Sequence, residues 1–304
     1  MDTTYMVTGV TGFIGKELVK RLDGKVYGIA RWSSKRIEPE GYELVFADLG
    51  NYNEISNTIR KVKPEIVINL GAMTPVSLSF ERPFEYVDSN FIGVMNLVEA
   101  NRKFNPYLKK FIQASSPETY GMSDGPLTPD SELMPNSPYA VTKAAADMYL
   151  AYAFRSFGFP VVTSRHANSY GRKDMNHFVI ERIVTQMIEN PAEIFLGEKE
   201  PRRDFMYIDD VVDFYIKLVE KGVPGNVYTA GWNSSISIGE IVEMSKRVTG
   251  WDGKINWGSI PKRPGEIKDM RLDASKSNKE LGWYPKVPIE EGLRRVYEHW
   301  KNKS

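Results

Sequence analysis

The chain has 304 residues, of which 41% are hydrophobic, and this is enough to bury one large core or two modest ones. A formal net charge of +1 gives no basic field of the kind that binds nucleic acid. Cysteine is absent and only three histidines are present, which excludes disulfides and thiolate catalysis and leaves no metal site to expect. We recognise no charged-then-apolar leader sequence and no apolar run as long as the ~20 residues of a membrane helix. We therefore expect a cytoplasmic protein without membrane association.

Strand-like and helix-like segments alternate from the amino terminus to about residue 168. Short buried runs predict strands at Thr4–Val7, Val26–Ala30, Leu44–Phe46, Ile66–Leu70, Phe111–Ala114 and Val161–Thr163. Helical periodicity predicts helices at Phe13–Leu22, Asn53–Val62, Pro83–Phe104 and Tyr139–Ser156. Such alternation predicts an α/β fold with a doubly wound parallel sheet and right-handed crossovers.

Beyond about Asn168 the alternation loosens, and Pro, Gly, Trp and Arg become frequent. We expect a smaller second domain over residues 169–304. An amphipathic stretch within residues 206–232 predicts a packed helix, and this segment is expected to return to the first domain, residues 1–168.

Three glycines separate the first predicted strand from the first predicted helix, at positions 9, 12 and 15 of Thr8–Gly15. Gly9 permits a tight turn, Gly12 lets backbone N–H groups approach a pyrophosphate, and Gly15 lets the helix pack close to the sheet. This context predicts a Rossmann-type dinucleotide site, the alternative being a simple strand-to-helix turn.

Tyr139 and Lys143 stand four residues apart behind a Ser-Pro pair that is typical of a helix start. The spacing alone is common, since Tyr297 and Lys301 repeat it, but here both residues share one face of a helix. A phenol has a pKa of about 10, and we expect the ammonium one turn away to lower it so that Tyr139 acts as a base. A surface tyrosine beside a solvated lysine is the alternative.

The end of the second predicted strand indicates which dinucleotide is bound. An acidic residue there would bind a ribose 2′-hydroxyl, whereas the segment 30–36 reads Ala-Arg-Trp-Ser-Ser-Lys-Arg, and a cation suits a 2′-phosphate. The sequence therefore favours NADP, with NAD as the alternative. Arg31 is alternatively an ordinary exposed arginine. Asp48 is placed to meet the adenine amino group, or else to cap the strand end.

The residues above resemble the extended short-chain dehydrogenase/reductase superfamily of nucleotide-sugar epimerases, dehydratases and reductases. The closest branch is that of GDP-mannose 4,6-dehydratase and GDP-4-keto-6-deoxymannose reductase. The matching stretches span the chain and are Thr8–Gly15, Val26–Arg31, Asn69–Ala72, Gln113–Gly121, Ser137–Lys143, Arg203–Phe205, Arg263–Glu266 and Leu281–Trp283. The resemblance implies a Rossmann-type NAD(P)-binding domain and a C-terminal domain that binds a nucleotide-diphosphate sugar.

The resemblance also implies roles for individual positions. Ser116 would bond the sugar 4-hydroxyl, Tyr139 would be the base, and Lys143 would hold the nicotinamide ribose. The implied cofactor-binding residues are Gly9, Gly12, Phe13, Ile14, Gly15, Arg31, Ser33, Ser34, Asp48, Leu49, Leu70, Ala72, Tyr139, Lys143 and His166. The implied substrate-binding residues are Thr74, Ser79, Asn168, Arg203, Arg263 and Glu266, with the two arginines on the nucleotide phosphates. An ion pair with Asp204 or Asp209 is the alternative role for Arg203.

Two departures from the branch bear on substrate contacts. Pro117 replaces a small polar residue beside the catalytic hydroxyl, and Met73–Pro75 replaces a polar triplet. The resemblance further implies a homodimer through paired helices, where the alanines of Ala144–Ala146 would permit close approach. The same alanines also simply favour a helix.

Glu118 discriminates between reactions of the superfamily. Epimerases commonly have Thr at this point, whereas dehydratases have Glu, as do decarboxylases and some reductases. A ketone at C4 acidifies the proton on C5, and a positioned carboxylate can remove it while water leaves from C6. A loop carboxylate facing solvent is the alternative for Glu118.

We therefore expect an NDP-sugar 4,6-dehydratase of the GDP-mannose type. The chain is shorter than such dehydratases usually are, which keeps open an NDP-sugar 4-epimerase of the UDP-glucose/galactose type or an NADPH-dependent 4-keto-sugar reductase. A decarboxylase and a non-catalytic NADP-binding sensor are more remote alternatives.

Overall fold

A computed structural model describes residues 2–34, 39–122 and 125–303. Its strands are β1 (Thr4–Thr8), β2 (Lys25–Ala30), β3 (Glu43–Phe46), β4 (Ile66–Asn69), β5 (Lys110–Ala114), β6 (Pro126–Leu127), β7 (Val161–His166), β8 (Asn168–Tyr170), β9 (Glu193–Phe195), β10 (Arg202–Arg203), β11 (Phe205–Tyr207), β12 (Val227–Ala230), β13 (Ile236–Ser237), β14 (Lys254–Asn256) and β15 (Asp269–Leu272).

The helices are α1 (Phe13–Leu18), α2 (Tyr52–Val62), α3 (Val76–Glu81), α4 (Pro83–Tyr86), α5 (Gly93–Phe104), α6 (Pro138–Phe157), α7 (Val179–Glu189), α8 (Ile208–Lys221), α9 (Ile238–Thr249), α10 (Ser275–Leu281) and α11 (Ile289–Lys301). Short 3-10 turns cover Val19–Arg21 and Pro117–Tyr120, and a π-helical segment covers Val87–Ile92. None of the helices within the described ranges is long and apolar enough to span a membrane.

Seven parallel strands form the central sheet in the order β12-β7-β5-β4-β1-β2-β3. Its inner strands are apolar because helices cover both faces. One face packs on α2, α5 and α6, and the other packs on α1 and α8. The predicted α/β fold with a Rossmann-type doubly wound parallel sheet is confirmed.

Short strands build the remaining sheets, which accounts for the loosened pattern beyond residue 168. A four-stranded sheet has the order β13-β10-β15-β6, and two further pairs are β11-β8 and β14-β9. Two strands connect the halves of the chain: β12 pairs with β7 of the central sheet, and β6, far upstream, pairs with β15. The amphipathic stretch expected within residues 206–232 forms α8.

The helix predicted at Pro83–Phe104 is continuous but contains the π-helical segment, which sequence periodicity did not indicate. Asn90 lies in this segment and is buried. Its amide oxygen accepts from the Met73 N–H at 2.8 Å, and its amide nitrogen donates to the Met73 carbonyl at 3.0 Å. The wider turn thus fixes the loop that follows β4.

Candidate active site

The glycine loop forms a backbone-lined cradle between β1 and α1. Gly9 has φ +65°, and a Cβ there would come within 2.9 Å of the Gly71 nitrogen and the Leu70 carbonyl. A Cβ at Gly15 would overlap the Gly9 carbonyl oxygen, because α1 begins directly against the turn. Side chains are therefore excluded where a pyrophosphate would lie, and this arrangement fits a dinucleotide.

A row of buried polar side chains braces the carboxyl edge of the sheet beside this cradle. Thr8 donates to the Asn69 side chain, whose amide donates to Gln113 at 2.8 Å. The Thr8 hydroxyl also accepts from the Gly71 N–H at 2.9 Å, so the segment after β4 is held against the glycine loop. The predicted cofactor residues along this edge are Phe13, Ile14, Leu49, Leu70 and Ala72, of which Leu49 is buried and the others are half-buried.

The end of β2 presents polar groups to solvent. Arg31 and Ser33 are exposed and Ser34 is half-buried, while Lys35 and Arg36 lie outside the described residues. At the end of β3, one carboxylate oxygen of Asp48 accepts from the Gly50 N–H at 2.9 Å. Asp48 thus caps the strand end, as its alternative interpretation proposed, while its exposed side chain faces the same edge.

Ser116, Glu118 and Tyr139 converge where β5 meets the start of α6. Ser116 accepts from the Glu118 N–H at 3.2 Å and opens the 3-10 turn Pro117–Tyr120. Tyr139 lies in the first turn of α6, which the Ser137 side chain caps by accepting from the Ala140 N–H at 3.1 Å. Only 7% of Tyr139 is exposed. Burial raises the pKa of its phenol above the ordinary value, a hydrogen bond with Ser116 opposes that rise, and the Glu118 charge adds to it.

The expectation that Lys143 lowers the pKa of Tyr139 is wrong. Burial dominates and raises the pKa of the phenol instead. The Lys143 ammonium donates to the Ala114 carbonyl at 2.9 Å. Burial also lowers the pKa of Lys143 to about 8, an effect that the nearby Asp147 charge opposes.

Two arginines and two glutamates form a network that includes the carboxylate of Glu118. Arg263 donates from Nη2 to Glu118 Oε1 at 3.2 Å and from Nε to Glu266 Oε2 at 2.8 Å. Arg203 is ion-paired with Glu266 and also donates to the Ile267 carbonyl at 2.8 Å. The alternative pairing of Arg203 with an aspartate, Asp204 or Asp209, is wrong, because Arg203 reaches Glu266 across the β10-β15 pair.

Other predicted residues take varied positions. His166 is half-buried beside the Ala167 carbonyl, and burial lowers its pKa to about 4, so its imidazole is neutral at neutral pH. Asn168 is half-buried in β8, and Thr74 is exposed. Ser79 has 0% exposure and its hydroxyl donates to the Val76 carbonyl at 2.6 Å, so the structure does not bring it to the surface of the site.

Asp147, which sequence reasoning missed, supports the site from beneath. It lies one turn after Lys143 on α6 and accepts from Ser115 at 2.7 Å and from Arg165 Nη2 at 2.9 Å. Its spacing of four residues from Lys143 was the available signal. The buried carboxylate balances the charges of Arg165 and Lys143 beneath the first turns of the helix.

Comparisons with known proteins identify the family of the chain. Residues 6–296 match the family model described as GDP-mannose 4,6 dehydratase. A dTDP-D-glucose 4,6-dehydratase of Mus musculus is 32% identical over 98% of this chain and 90% of its own length. A UDP-glucuronate 4-epimerase of Thermodesulfobacterium geofontis is 31% identical over 99% and 96%.

A solved structure gives the same result. The UDP-glucuronic acid 4-epimerase of Bacillus cereus, in complex with UDP-glucuronic acid and NAD, is 28% identical, covers 99% of this chain and 100% of its own, and superposes with a TM-score of 0.87. The chain belongs to the GDP-mannose 4,6-dehydratase family, within the nucleotide-sugar dehydratases and epimerases of the extended short-chain dehydrogenase/reductase superfamily.

Proposed function

We propose that the protein is a nucleotide-sugar 4,6-dehydratase. The observation that carries this proposal is the buried carboxylate of Glu118 near the Tyr139 phenol, in a turn where the Glu118 N–H donates to the Ser116 hydroxyl. A solvent-facing loop carboxylate would be exposed, whereas Glu118 is 8% exposed. The names of the relatives support dTDP-glucose or a UDP-sugar as the substrate more than the GDP-mannose that the sequence suggested.

In the proposed reaction a bound nicotinamide would take a hydride from sugar C4 and return it to C6. Tyr139 accepts the proton of the 4-hydroxyl, and Ser116 orients that hydroxyl. Glu118 removes the proton from C5 and holds it, while the C6 hydroxyl takes a proton from solvent and leaves as water. Reprotonation at C5 then completes a 4-keto-6-deoxy sugar. Lys143 would hold the cofactor ribose through ammonium donors other than the one that bonds the Ala114 carbonyl.

We propose NADP as the preferred cofactor. The exposed Arg31 and Ser33 at the end of β2 support this choice, because a guanidinium suits a 2′-phosphate. The B. cereus epimerase with bound NAD supports a nicotinamide cofactor in general.

A 4-epimerase is the second candidate, and Pro117 favours it. An acid is needed to protonate the leaving C6 hydroxyl, and proline supplies none next to Glu118. An epimerase needs no such acid, since its 4-ketone only turns over and is reduced on the other face.

The two candidates are separated by incubating the pure protein with dTDP-glucose, UDP-glucose, UDP-glucuronic acid and GDP-mannose. A 4-keto product formed without added NADPH supports the dehydratase. A sugar inverted at C4 supports the epimerase, and consumption of NADPH only when a 4-keto nucleotide sugar is supplied supports a reductase. Binding of cofactor without turnover of any nucleotide sugar would contradict both candidates and favour a sensor.

We also propose a division into a cofactor domain (residues 1–168, with residues 206–232) and a nucleotide-sugar domain (residues 169–304).

We further propose a homodimer. An apolar face supports the dimer, and its exposed members are Phe80, Phe84, Val87, Val141, Met148 and Tyr152. Phe84 is 82% exposed on this face, and the substitution Phe84→Lys should convert the dimer to monomers. The molar mass measured by light scattering reports this change. Tyr107→Lys, an exposed position outside this face, is the control.

A further inference from the structure

Arg263 has two roles in the site, since it contacts the proposed base Glu118 and is expected to bind the nucleotide phosphates. It lies between β14 and β15 and reaches back to Glu118, which is 145 residues earlier in the chain. Its guanidinium touches Glu118 at 3.2 Å and Glu266 at 2.8 Å. The same guanidinium is the one that the family resemblance assigns to the nucleotide phosphates.

The four side chains of the network balance one another in charge. Arg203 and Arg263 supply two cations, and Glu118 and Glu266 supply two carboxylates. The four side chains are only 7 to 20% exposed. Since buried charges are costly without a partner, each carboxylate here compensates the charge of an arginine.

A diphosphate would bring at least two further negative charges to the same arginines. Nη2 of Arg263 is the atom that donates to Glu118, at 3.2 Å, and it also donates to Glu266 at 3.3 Å, so a phosphate oxygen bound at Nη2 would displace the Glu118 contact. Arg263 approaches Glu266 more closely than Glu118, so the Glu118 contact is the weaker of the two. The other carboxylate oxygen of Glu118, Oε2, is buried with no hydrogen-bond partner among the described residues.

We propose that the nucleotide diphosphate and Glu118 compete for Arg263, so that seating the nucleotide releases the Glu118 carboxylate for the reaction on the sugar. This inference rests on the proposed function, in which Glu118 is the base, and on the phosphate-binding role that the family resemblance implies for Arg263. Arg263 is then a positioning residue for Glu118 as well as a binding residue. The Glu118 carboxylate stays ion-paired with Arg263 until a nucleotide is bound.

The test is the affinity of the full chain for UDP, dTDP and GDP, measured by titration calorimetry with saturating NADP. Glu118→Gln removes the competitor without changing the size of the side chain. We expect a nucleotide that the parent binds to bind Glu118→Gln at least about fivefold more tightly than it binds the parent. This factor is the lower end of the coupling between linked sites. Glu290→Gln is the matched control, because Glu290 also pairs with an arginine, Arg247, at 2.8 Å, but on the exposed surface. Its affinity should equal that of the parent.

An unchanged or weaker affinity of Glu118→Gln, with normal binding by the parent, would overturn this inference and leave the proposed function standing. Failure of the parent to bind any of the three nucleotides would overturn both. A thermal melt shows whether the variant is folded. If it is not, a crystal structure of the parent with the bound nucleotide decides: Arg263 on the phosphates and beyond hydrogen-bond distance of Glu118 is expected, and a retained contact refutes the competition.

Discussion

The ammonium of Lys143 donates to the carbonyl of Ala114 at 2.9 Å, at the end of β5, and not to the phenol of Tyr139. Both Lys143 and Tyr139 are buried, and burial disfavours the charged form of each. Burial therefore works against the Tyr139 phenolate that the reaction needs. Lys143 would hold the nicotinamide ribose through ammonium donors other than the one on the Ala114 carbonyl, next to Tyr139 on the same helix.

Replacing Tyr139 by Phe should lower turnover at least ~10²-fold, the lower end of the contribution of a positioned acid–base group. The measurement is the rate of product formation with the nucleotide sugar identified by the substrate panel. Tyr149→Phe on the same helix is the control, because its hydroxyl donates to Glu99 at 2.7 Å, away from the site. Equal rates for Tyr139→Phe and the parent would refute the role of the phenol.

Glu118→Gln should block loss of water while hydride transfer at C4 remains detectable, because the amide cannot accept the C5 proton. Transient absorbance of the reduced nicotinamide reports the first step, and formation of the 4-keto-6-deoxy sugar reports the second. A variant that makes product as fast as the parent would exclude the dehydratase mechanism and leave the epimerase or the reductase.

Arg31→Ala should weaken NADP binding about tenfold or more, as expected for loss of a charge-assisted hydrogen bond, and leave NAD binding nearly unchanged. Cofactor fluorescence measures both affinities. Arg155→Ala, at an exposed position late in α6, serves as the comparison. If NADP and NAD lose affinity equally, Arg31 does not contact the 2′-phosphate.

Lys143 predicts a pH dependence of stability. Its pKa is about 8 in the folded chain, compared with about 10.4 when unfolded, so the folded chain binds fewer protons between these values. The free energy of unfolding therefore rises with pH in that window, and the cost of the buried ammonium is present below it. Relative to Lys143→Met, the parent should gain stability between pH ~7 and pH ~10 in urea unfolding. If the difference in free energy of unfolding between the parent and Lys143→Met stays constant with pH, the prediction is wrong. Lys61→Met, which removes an exposed lysine, is the control.

Gly9→Ala and Gly158→Ala form a matched pair, because their φ angles are +65° and +66°. A Cβ at Gly158 meets nothing within 4 Å, so that variant should lose only the ~1–2 kcal/mol of a left-handed alanine. Gly9→Ala also meets the Leu70–Gly71 backbone at 2.9 Å and should lose more stability and most cofactor affinity. Urea unfolding measures the difference between the two variants, and equal losses would argue against a tight cradle.

Sequence patterns predicted the parts of the structure that depend on local spacing. Most bounds of the predicted central strands agree to within one residue, since each strand is a short apolar run, although β7 extends to His166. The glycines of Thr8–Gly15 and the first turn of α6 likewise lie where their motifs placed them. Family resemblance added Ser116, which no local pattern would single out.

Features that depend on distant segments were not predictable in this way. Arg203 pairs with Glu266, 63 residues later, because β10 and β15 align side by side. The direction of the Tyr139 pKa shift depends on how completely the helix is covered, and an isolated i, i+4 pair carries no such information. The π-helical segment is recognisable only once Asn90 is seen to hold Met73.

The strand pairings described above carry a consequence for cooperativity. Cleavage of the backbone anywhere between residues 171 and 201 would place β6 and β7 on one fragment and their partners, β15 and β12, on the other. If the two fragments separated, each would expose an unpaired strand edge. The intact protein is accordingly expected to melt in a single transition, with both halves of the site lost together.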